Sequence, residues 1–318
     1  MKVGLYTVSY GGLWYNGDPL SVEDVILRAK KIGFDGIEIC AKRPFGFPLD
    51  WDSDKRKSIR EFAKSNGIEI IALGAHSNFV RPVLEDRENE LLMLSEQIKL
   101  ARDLGTKILR IFIAWPGITK IDGVGNYAVP RKYAIDGICP GPDASKLQQW
   151  TWAKDIIKEG LKIAEKHGIC LAIQNHDPFI MHKELTYLDM LDMVKEIDSE
   201  HLKCVLDCPL LKYQDENYVA QAVKDVGRLN ILTHFGGEFK RDRSGKVVFV
   251  PEIGTDTGVY NYPVFLKALR ETGYDDYVVY ELCHPVLTEQ HELAGLEKVD
   301  EQVQLAHEYI RNLLKEIY

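Results

Sequence analysis

Short apolar runs alternate with amphipathic stretches along the whole of this chain. Runs at 2–9, 36–40, 68–76, 107–115, 169–177, 202–208, 229–235 and 277–284 have strand length. They are apolar nearly throughout, as strands covered on both faces are. The segments between them carry helical punctuation. One helix is predicted from about Ser21, where SVED resembles a capping box, to a stop at Gly33; a second runs from Ser53 to Asn66 before Gly67. Others run from about Asp86 to Leu104 before Gly105, and from about Ser145 to His167 before Gly168. The last, from about Leu287 to Ile317, turns its charges outward.

Eight strand–helix pairs, with no internal repeat, linker or shift in composition, predict one (β/α)8 TIM barrel spanning residues 1–318. An open doubly wound sheet is the other arrangement this order allows. No Gly-rich GxGxxG turn follows any strand to support it. Two stretches break the rhythm and are expected to be long loops. Residues 116–144 are rich in Gly and Pro and contain Tyr127, Arg131 and Tyr133, and residues 236–258 contain Arg241 and Arg243. Loops of this length commonly carry function.

With 45% hydrophobic and 28% charged residues, the chain has the composition of a packed protein and not of a disordered one. Its net charge of −8, with Lys and Arg scattered, gives nucleic acid no basic footprint. No apolar run approaches the roughly 20 residues of a membrane span, and MKVGLYTVSY has no signal-type apolar region, so a cytoplasmic protein is expected. Cys40, Cys139, Cys170, Cys204, Cys208 and Cys283 lie mostly in apolar runs, as reduced cysteines do. Cys204 and Cys208 lack a second pair at zinc-site spacing.

In a barrel of this kind the chemistry sits at the C-terminal ends of the strands, and here those ends are polar. His76 ends the third, Gln174 and His176 the fifth, Asp207 the sixth, His234 the seventh and Glu281 the eighth. Period-two alternation points Gln174 and His176 one way and Asn175 the other. So many polar groups in one ring need mutual pairing or a cation. Asp207, His234 and Glu281 with the amide oxygen of Gln174 form a mixed oxygen and nitrogen set suited to one divalent metal, Mn²⁺ first, with Mg²⁺ or Co²⁺ as alternatives. Read one at a time, each of these residues could equally be a polar group of the barrel core.

The strand ends QNH, LDC, LTHFGGE and YELCH, with GIEI at the second strand, resemble the sugar phosphate isomerase/epimerase group of xylose isomerase-like barrels. That group includes ketose 3-epimerases, inosose dehydratases and C-glycoside deglycosidase α-subunits. The resemblance implies a Glu, Asp, His, Glu ligand set, which falls here on Gln174, Asp207, His234 and Glu281. It also implies that the two glutamates exchange protons on opposite faces of the substrate carbon. The amide at Gln174 cannot do this, and Cys208 and Pro209 stand where a further histidine would be sought.

His176, on the same face as Gln174 and with an ordinary pKa near 6.5, is the replacement base. One base beside a polarised carbonyl favours β-elimination, so the expected activity is a lyase, such as cleavage of a 3-oxo-C-glycoside, with His176 and Glu281 catalytic. The alternatives are a sugar isomerase or ketose 3-epimerase, an inosose-type dehydratase, and a barrel that has lost catalysis and serves as a binding or scaffold subunit. His76, Trp115, Tyr127 and Arg131 are candidate substrate contacts, and Tyr133, Trp150 and Trp152 could also stack on a sugar or aglycone. Expected partners are a small sugar or glycoside, a smaller β-subunit implied by the deglycosidases, and a second copy of the chain.

Overall fold

The computed structural model describes residues 1–115, 117–126, 144–176, 181, 186–250 and 260–317. Each of the eight apolar runs yields a strand, in six of them shorter than the run itself. These are β1 (Lys2–Tyr6), β2 (Gly36–Cys40), β3 (Glu69–Gly74), β4 (Ile108–Ile111), β7 (Cys170–Gln174), β8 (Leu202–Asp207), β9 (Asn230–Gly236) and β12 (Tyr277–Glu281). They close into a parallel barrel in the order β1-β12-β9-β8-β7-β4-β3-β2. The ring is sealed by β1 on β12, with Leu5 opposite Tyr280. Eight helices lie between and after the barrel strands among the described residues: α1 (Val22–Ile32), α2 (Ser53–Ser65), α3 (Leu84–Leu104), α4 (Lys146–His167), α5 (Thr186–Ile197), α6 (Glu216–Val226), α7 (Tyr262–Glu271) and α8 (Leu296–Ile317). The architecture is the predicted (β/α)8 barrel.

Local chemistry sets the helix ends. Ser21 Oγ accepts the Asp24 amide to start α1, and Gly33, at φ 104°, ends it in a conformation that favours glycine. The reciprocal capping box falls at α4 instead, where the Gln148 amide donates to Ser145 Oγ (3.2 Å) and the Ser145 amide to Gln148 Oε1 (2.9 Å). Helix α8 starts at Leu296, later than predicted, because the preceding residues form a tight turn closed by a Leu287–Leu293 bridge. Among the described residues no helix is long and apolar enough to cross a membrane.

β3 and β4 stop short because the chain leaves the ladder beyond Gly74 and Ile111. Ser77 shows how: its hydroxyl donates to the Phe112 carbonyl (2.7 Å) and accepts the Phe112 amide (3.0 Å), replacing ladder bonds between the ends of β3 and β4. The two predicted loops also hold structure. The first contains a hairpin of β5 (Thr119–Ile121) and β6 (Val124–Asn126), turned on Asp122 (φ 49°) and Gly123 (φ 87°). An Asp-Gly pair with positive φ at both positions is a favoured two-residue hairpin turn. This hairpin leans on the loop after β1, with the Gly125 amide donating to the Leu13 carbonyl (2.7 Å) and Lys120 to the Gly12 carbonyl (2.8 Å). The second holds β10 (Glu238–Arg241) paired with β11 (Val247–Val250).

Candidate functional site

Gln174 and Asp207 end neighbouring strands and touch: Gln174 Nε2 donates to Asp207 Oδ2 (2.7 Å) and stands 3.5 Å from His234 Nδ1. His234 Nδ1 lies 3.1 Å from Glu281 Oε2. One ligand atom from each of Asp207, His234 and Glu281 falls within 4.8 Å of the other two. Asn175 points the other way, as alternation requires. Its side chain receives the Asp207 amide (2.6 Å) and donates to the Asp207 carbonyl (3.2 Å), so it fixes the backbone of a ring residue.

The far side of His234 is held by groups that sequence reasoning did not assign. His234 Nε2 donates to Glu38 Oε2 (2.7 Å), and Arg110 Nε donates to Glu38 Oε1 (3.2 Å). Arg110 also donates to the Tyr6 hydroxyl (2.6 Å) and to the Ala75 carbonyl (3.0 Å). Glu38, Arg110, Tyr6 and His234 are all buried. Gly74 makes room for them: a Cβ there would lie 2.5 Å from an Arg110 nitrogen and 2.6 Å from a Glu38 oxygen. A carboxylate on the outer nitrogen of a ligand histidine fixes its tautomer, leaving Nδ1 to face the ring.

The charges are strongly coupled. Burial pushes Asp207 up to about 7, against the pull of His234. Burial also disfavours charge on His234, but Glu38 and Glu281 outweigh it and raise the imidazole to about 10. At Glu281 burial is outweighed in turn by the hydrogen bond and charge of His234, which bring the carboxyl down to about 2. Without an ion, an imidazolium therefore holds the ring together. Two buried acceptors remain without a partner, Gln174 Oε1 and Asp207 Oδ1. Unpaired buried acceptors beside two acids fit a cation, and the mix of oxygens and one imidazole fits a divalent one.

Against known families, the model of the xylose isomerase-like TIM barrel matches residues 26–312. The chain belongs to the xylose isomerase-like TIM barrel family. A D-psicose 3-epimerase of Ruminiclostridium cellulolyticum is 23% identical over 290 residues, covering 88% of this chain and 83% of that protein. A D-psicose 3-epimerase from Clostridium cellulolyticum, solved with D-tagatose, superposes with a TM-score of 0.72 at 19% identity, covering 99% of each chain. An IolI protein solved with a zinc atom superposes at 0.66 with 17% identity, covering 100% of this chain and 99% of that one. The curated relative within this family is an epimerase, which favours the isomerase and epimerase alternative over the expected lyase.

The ring opens into a cavity of about 260 Å³ that is also lined by His76, His176 and Trp115. These form an aromatic wall. His176 meets Phe112 and Trp115 edge-on at 4.8 Å, and His76 meets Trp115 at 5.3 Å. Burial, then Lys42, keeps His76 well below the usual imidazole range. Trp150 and Trp152 do not reach the cavity. They lie on α4, where Trp150 is buried and donates to Glu196 (3.0 Å) and Trp152 packs under Arg87 at 4.4 Å. Arg241 forms a two-pronged ion pair with Glu308 on the surface. Tyr127, Arg131 and Tyr133 lie outside the described residues.

Proposed function

We propose that this protein is a divalent-metal-dependent sugar isomerase or epimerase that moves a proton off and onto the carbon beside a substrate carbonyl. The observation that carries this reading is the ring itself: Asp207, His234 and Glu281 within 4.8 Å of one another, with unpartnered acceptors on Asp207 and Gln174. The epimerase relative supports the substrate class. Gln174, Asp207, His234 and Glu281 would hold the metal, with Mn²⁺ the first choice for this donor set. When bound, such an ion polarises the carbonyl and stabilises negative charge next to it.

The residues of this chain then divide the proton work. Glu281 offers its carboxylate from the end of β12, and His176 offers an imidazole from the segment after β7; both line the cavity. Gln174 gives up the acid/base role that a glutamate would have there, because an amide takes no proton at neutral pH. His176, two residues on and facing the same cavity, supplies the second group. The aromatic wall keeps water from the reacting carbon and offers ring faces to the apolar side of a sugar.

Gln174 also favours a second reading. With one face of the carbon served by His176 alone, a substrate bearing a leaving group β to the carbonyl would eliminate it, as in cleavage of a 3-oxo-glycoside, and a smaller β-subunit would accompany that activity. Incubation of the Mn²⁺-loaded protein in D₂O with D-tagatose, and separately with a 3-oxo-glycoside, distinguishes the two. Deuterium beside the carbonyl with inversion of configuration is the expected result. Release of aglycone without inversion would assign the protein to elimination, and no exchange with either substrate would refute both readings.

A further inference from the structure

Lys42 stands where β2 gives way to the mouth. In the register of β2 on β3, Cys40 lies opposite Gly74, which brings Lys42 and His76, each two residues further on, to neighbouring places on the rim. Both line the cavity. In the closed strand order β2 is opposite β8 and β3 opposite β9, so this pair faces Asp207 and His234 across the opening.

Lys42 is half-buried, and its side chain makes no hydrogen bond or ion pair with any described residue. The acids near it are already taken: Glu38 by Arg110 and His234, Asp207 by Gln174, and Glu281 by His234 and Cys283. His76 Nδ1 is buried and also lacks a partner. A neutral imidazole has one N–H to donate, and an ammonium with no counter-ion among the described residues is open to an anion. Two donors side by side match the two oxygens of a carboxylate. A phosphate dianion is usually met by arginine forks or by clustered backbone amides. Here Arg241 is committed to Glu308 at 2.7 Å.

We infer that Lys42 and His76 receive the carboxylate of a sugar acid, so that the substrate is a keto-sugar acid. It is anchored at the β2–β3 rim while its carbonyl end lies at the ring on the opposite strands. The carbonyl end of this pose rests on the proposed function; the carboxylate end does not, so the test reads binding alone.

Calorimetric titration of the Mn²⁺-loaded protein with D-fructose, 5-keto-D-gluconate and D-fructose 6-phosphate at low ionic strength separates the possibilities. The keto acid is expected to bind about tenfold tighter than D-fructose, a gap that Lys42→Met closes and Lys42→Arg keeps. His76→Phe is expected to narrow it. Equal or weaker binding of the keto acid, failure to bind included, overturns the inference. So does a preference that survives Lys42→Met, and a preference for the phosphate alone reassigns the cation to phosphate. Loss of deuterium exchange with intact keto-acid preference would sink the proposed reaction and leave this inference standing.

Discussion

The two sides of the barrel mouth are built on different principles. At the ends of β7, β8, β9 and β12 each polar group leans on another, and Gln174, Asp207, His234 and Glu281 form a chain of short contacts backed by Glu38. Beyond the ends of β3 and β4 rings meet rings, with Phe112 stacked on Trp115 at 4.9 Å, His76 against Trp115, and His176, reaching over from the end of β7, against Phe112. The first side fixes charge in place, as an ion site must, and leaves acceptors over for a cation. The second presents faces, edges and the Lys42 ammonium, whose side chain has no partner among the described residues, as a substrate wall does. Arg110 belongs to both. It donates to Glu38 and lies 4.4 Å from the Phe112 ring, so the support of the ring also underlies the wall.

The largest effect that would sharpen this contrast is expected at His176, which sits on the wall but serves the chemistry. His176→Ala should lower turnover by about 10²–10⁴-fold while calorimetry shows Mn²⁺ affinity within about a factor of two of the wild type. Equal loss of metal would move His176 to the ring side. Next comes the support behind the ring. Glu38→Gln should weaken Mn²⁺ binding by about 10–100-fold, because His234 loses the carboxylate that fixes its tautomer. Unchanged affinity would make Glu38 a core charge serving only Arg110.

Protons should compete with the ion on the ring side alone. Coordination needs Asp207 ionised, with its carboxyl near 7, and His234 stripped of the proton it holds up to about 10. Mn²⁺ affinity should therefore rise with pH, by about tenfold per unit between pH 7.5 and 9 and more steeply below 7, where a second proton must leave. A pH-independent affinity in calorimetric titrations would contradict the ring as drawn. The smallest effect concerns the shared foundation. Gly74→Ala places a methyl against Arg110 and Glu38 and should cost about 1–3 kcal/mol, seen as a fall of a few degrees in thermal unfolding. An unchanged midpoint would mean that the network yields easily.

The frame of the barrel could be read from local signals, because apolar runs and caps such as Ser21, Gly33, Gly105 and Gly168 act over a few residues. The ring was legible for a related reason, since polar residues that close apolar strands are conspicuous. What escaped depends on distant partners. Glu38 and Arg110 are 72 residues apart in sequence, and nothing local says that barrel closure will bring them under His234. The β5–β6 hairpin was hidden in a stretch read by its Gly and Pro content, although Asp122-Gly123 is itself a turn signal. Trp150 and Trp152 were grouped with the substrate contacts by their place near a loop. The 3.6-residue period of α4 turns them to other neighbours.

The β7–β12 side is expected to hold one divalent ion and the opposite side none. The most direct test is titration of chelator-treated protein with Mn²⁺, followed by calorimetry and by the loss of the free-ion electron spin resonance signal. The wild type and Lys42→Met should each take up one ion per chain, and Asp207→Ala none. Full uptake by Asp207→Ala, or none by the wild type, would contradict the account.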